Sequence, residues 1–208
     1  MRPDPSVKNL IFDLGGVILD LSVNHTVQAF SMVSGLDENA VKDKFHYSGF
    51  EAYEKGELTD TEFRDFVREV YAITASDKII DQCWNAMLLG IPFAKLQLLN
   101  QLKKSYRVFL LSNTNNIHLN YIQTTVMPAL GGDKILDDYF HRAYYSHLMK
   151  KRKPDTEIFN QVLDENGLQP QESLFLDDNE ANIASANTLG MQTLHVPTPD
   201  LILTYFHA

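Results

Sequence analysis

Three aspartates stand directly after short apolar runs, where their carboxylates could act together in one site. Asp13 follows the run 10–12, and Asp177 and Asp178 follow the run 174–176. If these runs are neighbouring parallel strands, the carboxylates meet at the edge of the sheet where open α/β folds bind ligands. Like charges at that range repel, and partial burial adds a desolvation cost. A divalent cation bound by these oxygens offsets both the repulsion and the desolvation cost. Mg²⁺ is the usual choice where a substrate phosphate completes the coordination of the metal.

Two residues at another strand end and one lysine could join this cluster. Ser112 and Asn113 follow the apolar run 108–111, and Lys153 ends a run of four basic residues. Lys153 is singled out because Pro154 favours an extended conformation for it and a helix is expected to start there. The three basic residues before it are interpreted as a solvated loop or a weak basic patch. Each polar residue alone is better explained as a helix N-cap or a loop side chain, but their joint position at strand ends indicates a site.

The elements that must position these residues form a recognisable pattern. Four continuous apolar runs suit strands buried on both faces of a parallel sheet, namely residues 10–12, 108–111, 174–176 and 193–196. Apolar residues at helical spacing predict three helices, over residues 92–104, 155–165 and 179–189. Strand–helix alternation of this kind predicts a doubly wound, Rossmann-like α/β fold with a parallel sheet.

The stretch from residue 21 to residue 90 has a different character. Its apolar residues are spaced as in helices, and turn signals such as Ser34-Gly35 and Lys55-Gly56 divide it, with no strand pattern between them. We therefore expect two units: residues 1–20 with 91–208 as the α/β core, and residues 21–90 as an inserted helical module.

The composition limits the partners that this chain can have. Among 208 residues, 27 are acidic and 18 basic, which gives a net charge of −9. This charge argues against nucleic acid or an anionic membrane as the main partner. Cys83 is the only cysteine, so an intramolecular disulfide or a cysteine-based zinc site is excluded. The chain has neither a signal-peptide core at its start nor an apolar run of about 18 residues, and we expect a cytoplasmic location.

Four motifs in order along the chain resemble those of the haloacid dehalogenase-like hydrolase superfamily. They are Phe12-Asp13-Leu14-Gly15-Gly16-Val17, then Leu110-Leu111-Ser112-Asn113, then Lys153 before a helix, and finally Leu176-Asp177-Asp178 with a following helix and Gly190-Met191. The resemblance extends over the whole chain. The helical module is similar to the small helical cap that this superfamily carries directly after the first motif.

The resemblance implies a phosphatase with a covalent intermediate. In that scheme Asp13 is the nucleophile and forms an aspartyl-phosphate that water hydrolyses. Mg²⁺ is held by Asp13, the main-chain carbonyl of Gly15 and Asp178, with Asp177 alongside. Asn182 stands where many relatives have another carboxylate and is expected to steady the metal's surroundings.

The resemblance also assigns the groups that bind the phosphoryl oxygens. Ser112 and the main-chain amides around Leu14, Gly15 and Asn113 would hold them, while Lys153 would counter the charge that develops in the transition state. The expected substrate is a small phosphorylated metabolite.

One departure from the family pattern concerns the proton donor. Relatives have a second aspartate where this chain has Gly15, and that residue protonates the leaving alcohol and activates the water. Three alternatives follow: a leaving group that needs little protonation, as in glycosyl or acyl phosphates; another donor such as Asp20, His25 or a cap residue; or residual activity. The Asp-Leu-Gly opening is similar to a bacterial branch that includes sugar-1-phosphatases.

Two other functions compete with the phosphatase hypothesis. A 2-haloacid dehalogenase of the same superfamily needs no metal and would have no use for the pair Asp177 and Asp178. A phosphometabolite-binding module could have kept the pocket and lost the acid. The segment 45–51 is a candidate substrate loop, in which core packing explains Phe45 and Phe50 and His46 is a further candidate.

Overall fold

The computed structural model describes residues 3–45 and 48–207. Within these ranges the strands are β1 (Asn9–Phe12), β2 (Asp20–Leu21), β3 (Leu88–Gly90), β4 (Arg107–Ser112), β5 (Arg142–Tyr145), β6 (Ser173–Asp177) and β7 (Gln192–His195). The α-helices are α1 (Val23–Ser34), α2 (Glu38–Lys44), α3 (Ser48–Glu54), α4 (Asp60–Tyr71), α5 (Asp77–Asn85), α6 (Phe93–Leu102), α7 (Asn116–Tyr121), α8 (Met127–Ala129), α9 (Ser146–Met149), α10 (Thr156–Asn166), α11 (Glu180–Thr188) and α12 (Leu201–His207). A π-helical turn, Ile122–Val126, joins α7 to α8.

A five-stranded parallel sheet in the order β5-β4-β1-β6-β7 forms the centre of the fold. Its strands are covered on both faces: Leu10 and Phe12 belong to one buried cluster, while Ile11 between them belongs to another. Because alternate side chains of a strand point to opposite faces, a run buried on both sides must be continuously apolar. The predicted doubly wound α/β fold is confirmed.

The predicted elements of the core are found where the sequence indicated them. The four apolar runs are β1, β4, β6 and β7, and the three helical patterns are α6, α10 and α11. The sequence did not separate strand from loop at β5, an edge strand whose first residue, Arg142, is exposed. An edge strand with a charged residue lacks the continuous apolar signal of the central strands.

The prediction that no strand interrupts residues 21–90 was wrong at both ends of that stretch. Leu21 belongs to β2, which pairs antiparallel with β3 at residues 88–90. Strands of two and three residues are too short to show an alternating pattern. The helices α1 to α5 lie between these strands and enclose a cluster of their own, in which Tyr53 and Phe63 stack with ring centroids 4.0 Å apart. None of the helices in the described ranges has the length and apolar character that crossing a membrane requires.

Polar contacts fix the helical segment to the loops that follow β4 and β5. The hydroxyl of Tyr53 accepts a hydrogen bond from the backbone N–H of Ile117 at 3.2 Å. Ser146 donates to the main-chain oxygen of Glu54 at 2.7 Å, and Trp84 donates through its indole N–H to Asn115 at 3.3 Å. The helices and the sheet therefore meet at the carboxyl ends of these strands.

His118 lies buried in this junction, with its ring centroid 4.8 Å from that of Trp84. Burial lowers the pKa of His118 from 6.5 to about 3, and the nearby His147 acts in the same direction. The folded protein therefore keeps this imidazole neutral at pH values where the unfolded chain protonates it.

We expect the His118→Phe variant to lose part of the acid sensitivity of the fold. Between about pH 6.5 and pH 3 the unfolded chain binds the extra proton, so stability falls as the pH falls, by up to about 1.4 kcal/mol per pH unit from this residue. Urea unfolding at several pH values measures the slope. His25→Phe, at an exposed position of α1, serves as the control. An unchanged slope in His118→Phe would contradict the prediction.

Candidate active site

The sheet register brings the three aspartates of the sequence analysis together. Phe12 pairs with Leu176, and the backbone N–H of Asp13 donates to the carbonyl of Leu176 at 2.8 Å. Asp13, Asp177 and Asp178 each offer a carboxylate oxygen within 4.8 Å of those of the other two. Asp13 and Asp177 are buried, whereas Asp178 is exposed at the rim.

Lys153 lies between two of these carboxylates. Its ammonium donates to Asp13 Oδ1 and to Asp177 Oδ2, both at 2.7 Å, and to the carbonyl of Leu111 at 2.9 Å. Its side chain is 1% exposed. All three N–H groups of the ammonium are therefore used, and the charge is fixed between β1, β4 and β6.

Asn113 holds the backbone of Lys153 in place. Its amide donates to the carbonyl of Lys153 at 2.8 Å, and its side-chain oxygen accepts from the backbone N–H of Lys153 at 2.9 Å. Sequence reasoning assigned only the main-chain amide of Asn113 and missed this clamp, because nothing in a sequence signals a pairing across 40 residues. Ser112 is buried beside it as the last residue of β4.

Asp177, the last residue of β6, also accepts hydrogen bonds from the start of the following helix, α11. Asn182 in α11 donates to both of its carboxylate oxygens, at 3.0 and 3.1 Å, and the backbone N–H of Asn179 donates to Oδ1 at 2.8 Å. In contrast, Asp13 Oδ2 and the carboxylate of Asp178 receive no hydrogen bond from the side chain of another described residue. Two groups of the cluster thus keep oxygen atoms open.

The burial of this cluster shifts its protonation equilibria. Burial raises the pKa of Asp13 to about 7, against the opposing effect of Lys153, and the charge of Asp177 adds to the increase. Burial and the charge of Asp177 also raise the pKa of Asp178. Burial lowers the pKa of Lys153, but the two carboxylates that it touches outweigh burial and raise it.

These observations fit a bound divalent cation. Two buried carboxylates and a third at the rim, against one ammonium, leave an excess of negative charge that is costly without a further positive charge. The open oxygens of Asp13 and Asp178 are hard ligands of the kind that Mg²⁺ prefers. Gly16 lets the backbone pass close to Asp178, since its φ is +73° and an added Cβ would overlap that carboxylate.

A cavity of about 360 Å³ opens beside the first two motifs. Leu14, Gly15, Ser112 and Asn113 line one end of it. Other parts of the wall come from the helical segment, from residues near β2 and β3 and from the segments after β4 and β5, and they include the aromatic side chains of Phe45, Phe50 and Trp84. Phe50 and Trp84 are buried, and their stacked rings have centroids 5.5 Å apart. The same side chains therefore pack the helical segment and line the cavity. His46 lies outside the described residues.

Glu54 and Arg152 in this cavity were not anticipated, whereas Glu51 belongs to the candidate loop 45–51 of the sequence analysis. Arg152 donates to Glu51 at 3.0 Å and to Glu54 at 3.0 and 3.2 Å. The interpretation of Arg152 as part of a solvated loop was therefore wrong, because α3 supplies two partners that are about 100 residues away in the chain. Lys150 also contacts the helical segment, donating to the carbonyl of Gly56.

The two named candidates for a replacement proton donor lie outside the cavity lining. Asp20 forms an ion pair with the fully buried Lys95 at 2.7 Å. His25 is exposed on α1. Beside Gly15 the wall is apolar, and a Cβ at that position would lie 2.7 Å from Leu21 Cδ1.

The strand-end residues follow one another in a fixed order along the chain and meet in one cluster. Both features agree with the protein family that the chain matches. The family described as haloacid dehalogenase-like hydrolase matches residues 7–190 of the chain. This chain belongs to that family.

Several relatives of this hydrolase have been characterised. Over 188 residues it is 34% identical to a D-ribitol-5-phosphate phosphatase of Bacteroides thetaiotaomicron, and the match covers 90% of each chain. It is 39% identical, with a TM-score of 0.83, to a family member from the same organism whose structure was solved with magnesium and inorganic phosphate, covering 91% of this chain and 93% of that one. An L-2-haloacid dehalogenase of Xanthobacter autotrophicus is 18% identical with a TM-score of 0.62, covering 91% and 77%, and shows the fold alone.

We expect Gly16→Ala to weaken Mg²⁺ binding by about 10-fold or more, because the added methyl group displaces the Asp178 carboxylate. Titration calorimetry with MgCl₂ measures the change. Gly35→Ala is the matched control: its φ is +72° and an added Cβ meets no atom within 4 Å. That variant should lose about 1 kcal/mol of stability from backbone strain and bind Mg²⁺ normally. Equal affinities of the two variants would refute the role given to Gly16.

Proposed function

We propose that this hydrolase is a Mg²⁺-dependent phosphatase that cleaves a small phosphorylated metabolite through an aspartyl-phosphate on Asp13. The observation that carries the proposal is the cluster of buried Asp13, Lys153 and Asp177 with Asp178 at its rim, beside a cavity of metabolite size. A carboxylate nucleophile suits phosphoryl transfer when positive charge offsets the incoming dianion.

Asp13 and Lys153 are proposed as the catalytic pair. Lys153 holds Asp13 through Oδ1, which fixes the plane of the carboxylate and leaves Oδ2 open. The ammonium remains charged between two carboxylates and so provides a fixed positive charge where the transition state gathers negative charge. Ser112 and the main-chain amides of Leu14, Gly15 and Asn113 are proposed to hold the phosphoryl oxygens.

The metal is proposed to bind to Asp13, to Asp178 and to the main-chain carbonyl of Gly15. Bound Mg²⁺ would supply positive charge that neutralises the approaching phosphate. Asp177 is proposed to orient Lys153 rather than to bind the ion directly, since its oxygens already accept hydrogen bonds from Lys153, Asn179 and Asn182. The relative solved with magnesium and phosphate supports this cofactor.

The helical segment is proposed to act as a cap. In this division residues 1–20 and 91–208 form the core and residues 21–90 the cap, as the sequence predicted. Its separate buried cluster and its share in the wall of the cavity support the proposal. In such an arrangement the core carries the chemistry and the cap shapes the space for the leaving group.

The substrate is proposed to be a sugar or polyol phosphate. The first motif resembles that of sugar-1-phosphatases, and a relative of 34% identity is a D-ribitol-5-phosphate phosphatase. A cavity of about 360 Å³ suits a metabolite of this size, whereas the net charge of −9 disfavours nucleic acid. We place the enzyme in the cytoplasm, which the single, buried cysteine fits.

Dehalogenation is the weaker alternative. A dehalogenase of this family works without a metal, so it would have no role for the open carboxylate of Asp178 beside Asp13. A screen of phosphate release over sugar 1-phosphates, alditol phosphates and acyl phosphates, with Mg²⁺ or with EDTA, separates the two activities. Chloride release from 2-chloropropionate in EDTA would favour the dehalogenase, and ligand-induced thermal stabilisation without turnover would favour a binding module.

We expect Asp13→Asn to abolish turnover while the fold survives, because the amide removes the nucleophile and keeps the shape of the side chain. Phosphate release should fall by at least about 10⁴-fold, while the circular dichroism spectrum stays that of the wild type. Lys8→Met is the control, because it removes only an ion pair with Glu172 at the surface. Phosphate release at the wild-type rate by Asp13→Asn would end the proposed mechanism.

Restoring the family's acid at residue 15 requires a second change. In Gly15→Asp the new side chain meets Leu21, so we expect little gain, whereas Gly15→Asp with Leu21→Ala should hydrolyse alkyl phosphates faster than Leu21→Ala alone. Steady-state rates of the three variants and the wild type measure the gain. If the double variant gains nothing, the missing acid is not what limits the enzyme.

A further inference from the structure

The leaving oxygen of a phosphate monoester needs a proton source, and residue 15 does not provide one. The atoms within 4 Å of a Cβ built at Gly15 all belong to Leu21, and the apolar residues Leu19 and Val23 also line the cavity. A donor must therefore lie elsewhere in the cavity, where it can reach the same oxygen.

Four of the residues that line the cavity carry ionisable side chains: Glu51, Glu54, His118 and Arg152. Arg152 stays charged and cannot give up its proton. His118 has its pKa lowered to about 3 by burial, so it holds no acidic proton at neutral pH. The side chain of Glu51 is 62% exposed, and only that of Glu54, 28% exposed, is both acidic and largely enclosed.

The position of Glu54 is fixed from two sides. As the last residue of α3 it accepts a hydrogen bond from Ser146 on its main-chain oxygen at 2.7 Å. Arg152 donates twice to Glu54 Oε2, while Oε1 receives no hydrogen bond from any described residue. One oxygen is thus an anchor, and the other is available to a bound molecule.

Burial and the neighbouring charges have opposing effects on the pKa of the Glu54 carboxyl group. Burial raises the pKa of Glu54, Arg152 opposes this increase, Glu51 adds to it, and the charge of Lys153 lowers it. Lys153 touches the nucleophile Asp13, so its influence on Glu54 places both carboxyl groups in one electrostatic environment. A carboxyl whose pKa lies closer to neutrality is a better acid and base for catalysis.

Building on the proposed function, we propose that Glu54 of the helical segment takes the acid–base role that residue 15 cannot fill. In the first step Asp13 attacks phosphorus, the bond from phosphorus to the leaving oxygen breaks, and the Glu54 carboxyl gives its proton to that oxygen. In the second step the Glu54 carboxylate takes a proton from the water that attacks phosphorus, and the bond to Asp13 breaks. The enzyme returns to its starting protonation state.

The test compares Glu54→Gln with the wild type on D-ribitol 5-phosphate and p-nitrophenyl phosphate, in the presence of Mg²⁺. The alkoxide of ribitol needs a proton to leave, whereas nitrophenolate does not. We expect Glu54→Gln to lose at least about 100-fold on the alkyl phosphate. On the aryl phosphate it should release about one nitrophenolate per enzyme in a rapid burst and then turn over slowly, because only the second step needs the base. On the alkyl phosphate, kcat of the wild type should fall as the pH rises, because Glu54 loses its proton. The kcat of Glu54→Gln should not show this fall.

Glu51→Gln is the matched control, since it removes the other carboxylate that pairs with Arg152. Its ratio of alkyl to aryl rates should equal that of the wild type. Equal losses on both substrates in Glu54→Gln without a burst, or a changed KM with the pH profile intact, would overturn the acid–base role and leave the phosphatase standing. If the wild type hydrolyses neither substrate and no phosphate ester in the screen, both proposals fail. Thermal unfolding of each variant checks that the helical segment still packs.

Discussion

The site depends on the ammonium of Lys153, which lies between Asp13 and Asp177 at 2.7 Å from each. A lysine that is 1% exposed is tolerated only because both neighbours are carboxylates and a main-chain carbonyl accepts its third proton. In turn, two buried carboxylates at the end of adjacent strands are tolerated because this ammonium separates them. Removing Lys153 would leave two buried carboxylates at adjacent strand ends with no compensating charge between them.

The rest of the core serves to hold this arrangement. Parallel pairing of β1 with β4 and β6 sets the heights of Asp13 and Asp177, and the apolar clusters on both faces prevent the strands from shifting register. Asn113 fixes the backbone of Lys153 with two hydrogen bonds, and Asn182 fixes the Asp177 carboxylate. Geometry at the site is therefore over-determined, as preorganised electrostatic catalysis requires.

The helical segment adds what the core lacks. The core gives the cavity polar lining residues such as Ser112 and Asn113. The helices α3 and α5 supply the aromatic side chains of Phe50 and Trp84, and α3 supplies the carboxylates that pair with Arg152. Arg152 and Lys153 are neighbours in sequence, yet Arg152 contacts the helical segment and Lys153 contacts Asp13. This dipeptide links the two parts of the molecule and couples the position of α3 to the carboxylate cluster.

The sequence by itself determined the parallel sheet, three of its flanking helices and the cluster of Asp13, Asp177 and Asp178. Continuous apolar runs have one stable place, the middle of a covered sheet, and residues that follow them must lie at its carboxyl edge. Only the tertiary structure decided that Asn113 clamps Lys153, that Leu21 occupies the space beside Gly15, and that Arg152 meets Glu51 and Glu54. The contacts of Asn113 and Arg152 join segments 40 to about 100 residues apart on loops and helix ends. No local periodicity records them, because they follow from how the helical segment packs on the sheet and not from the propensity of any one stretch.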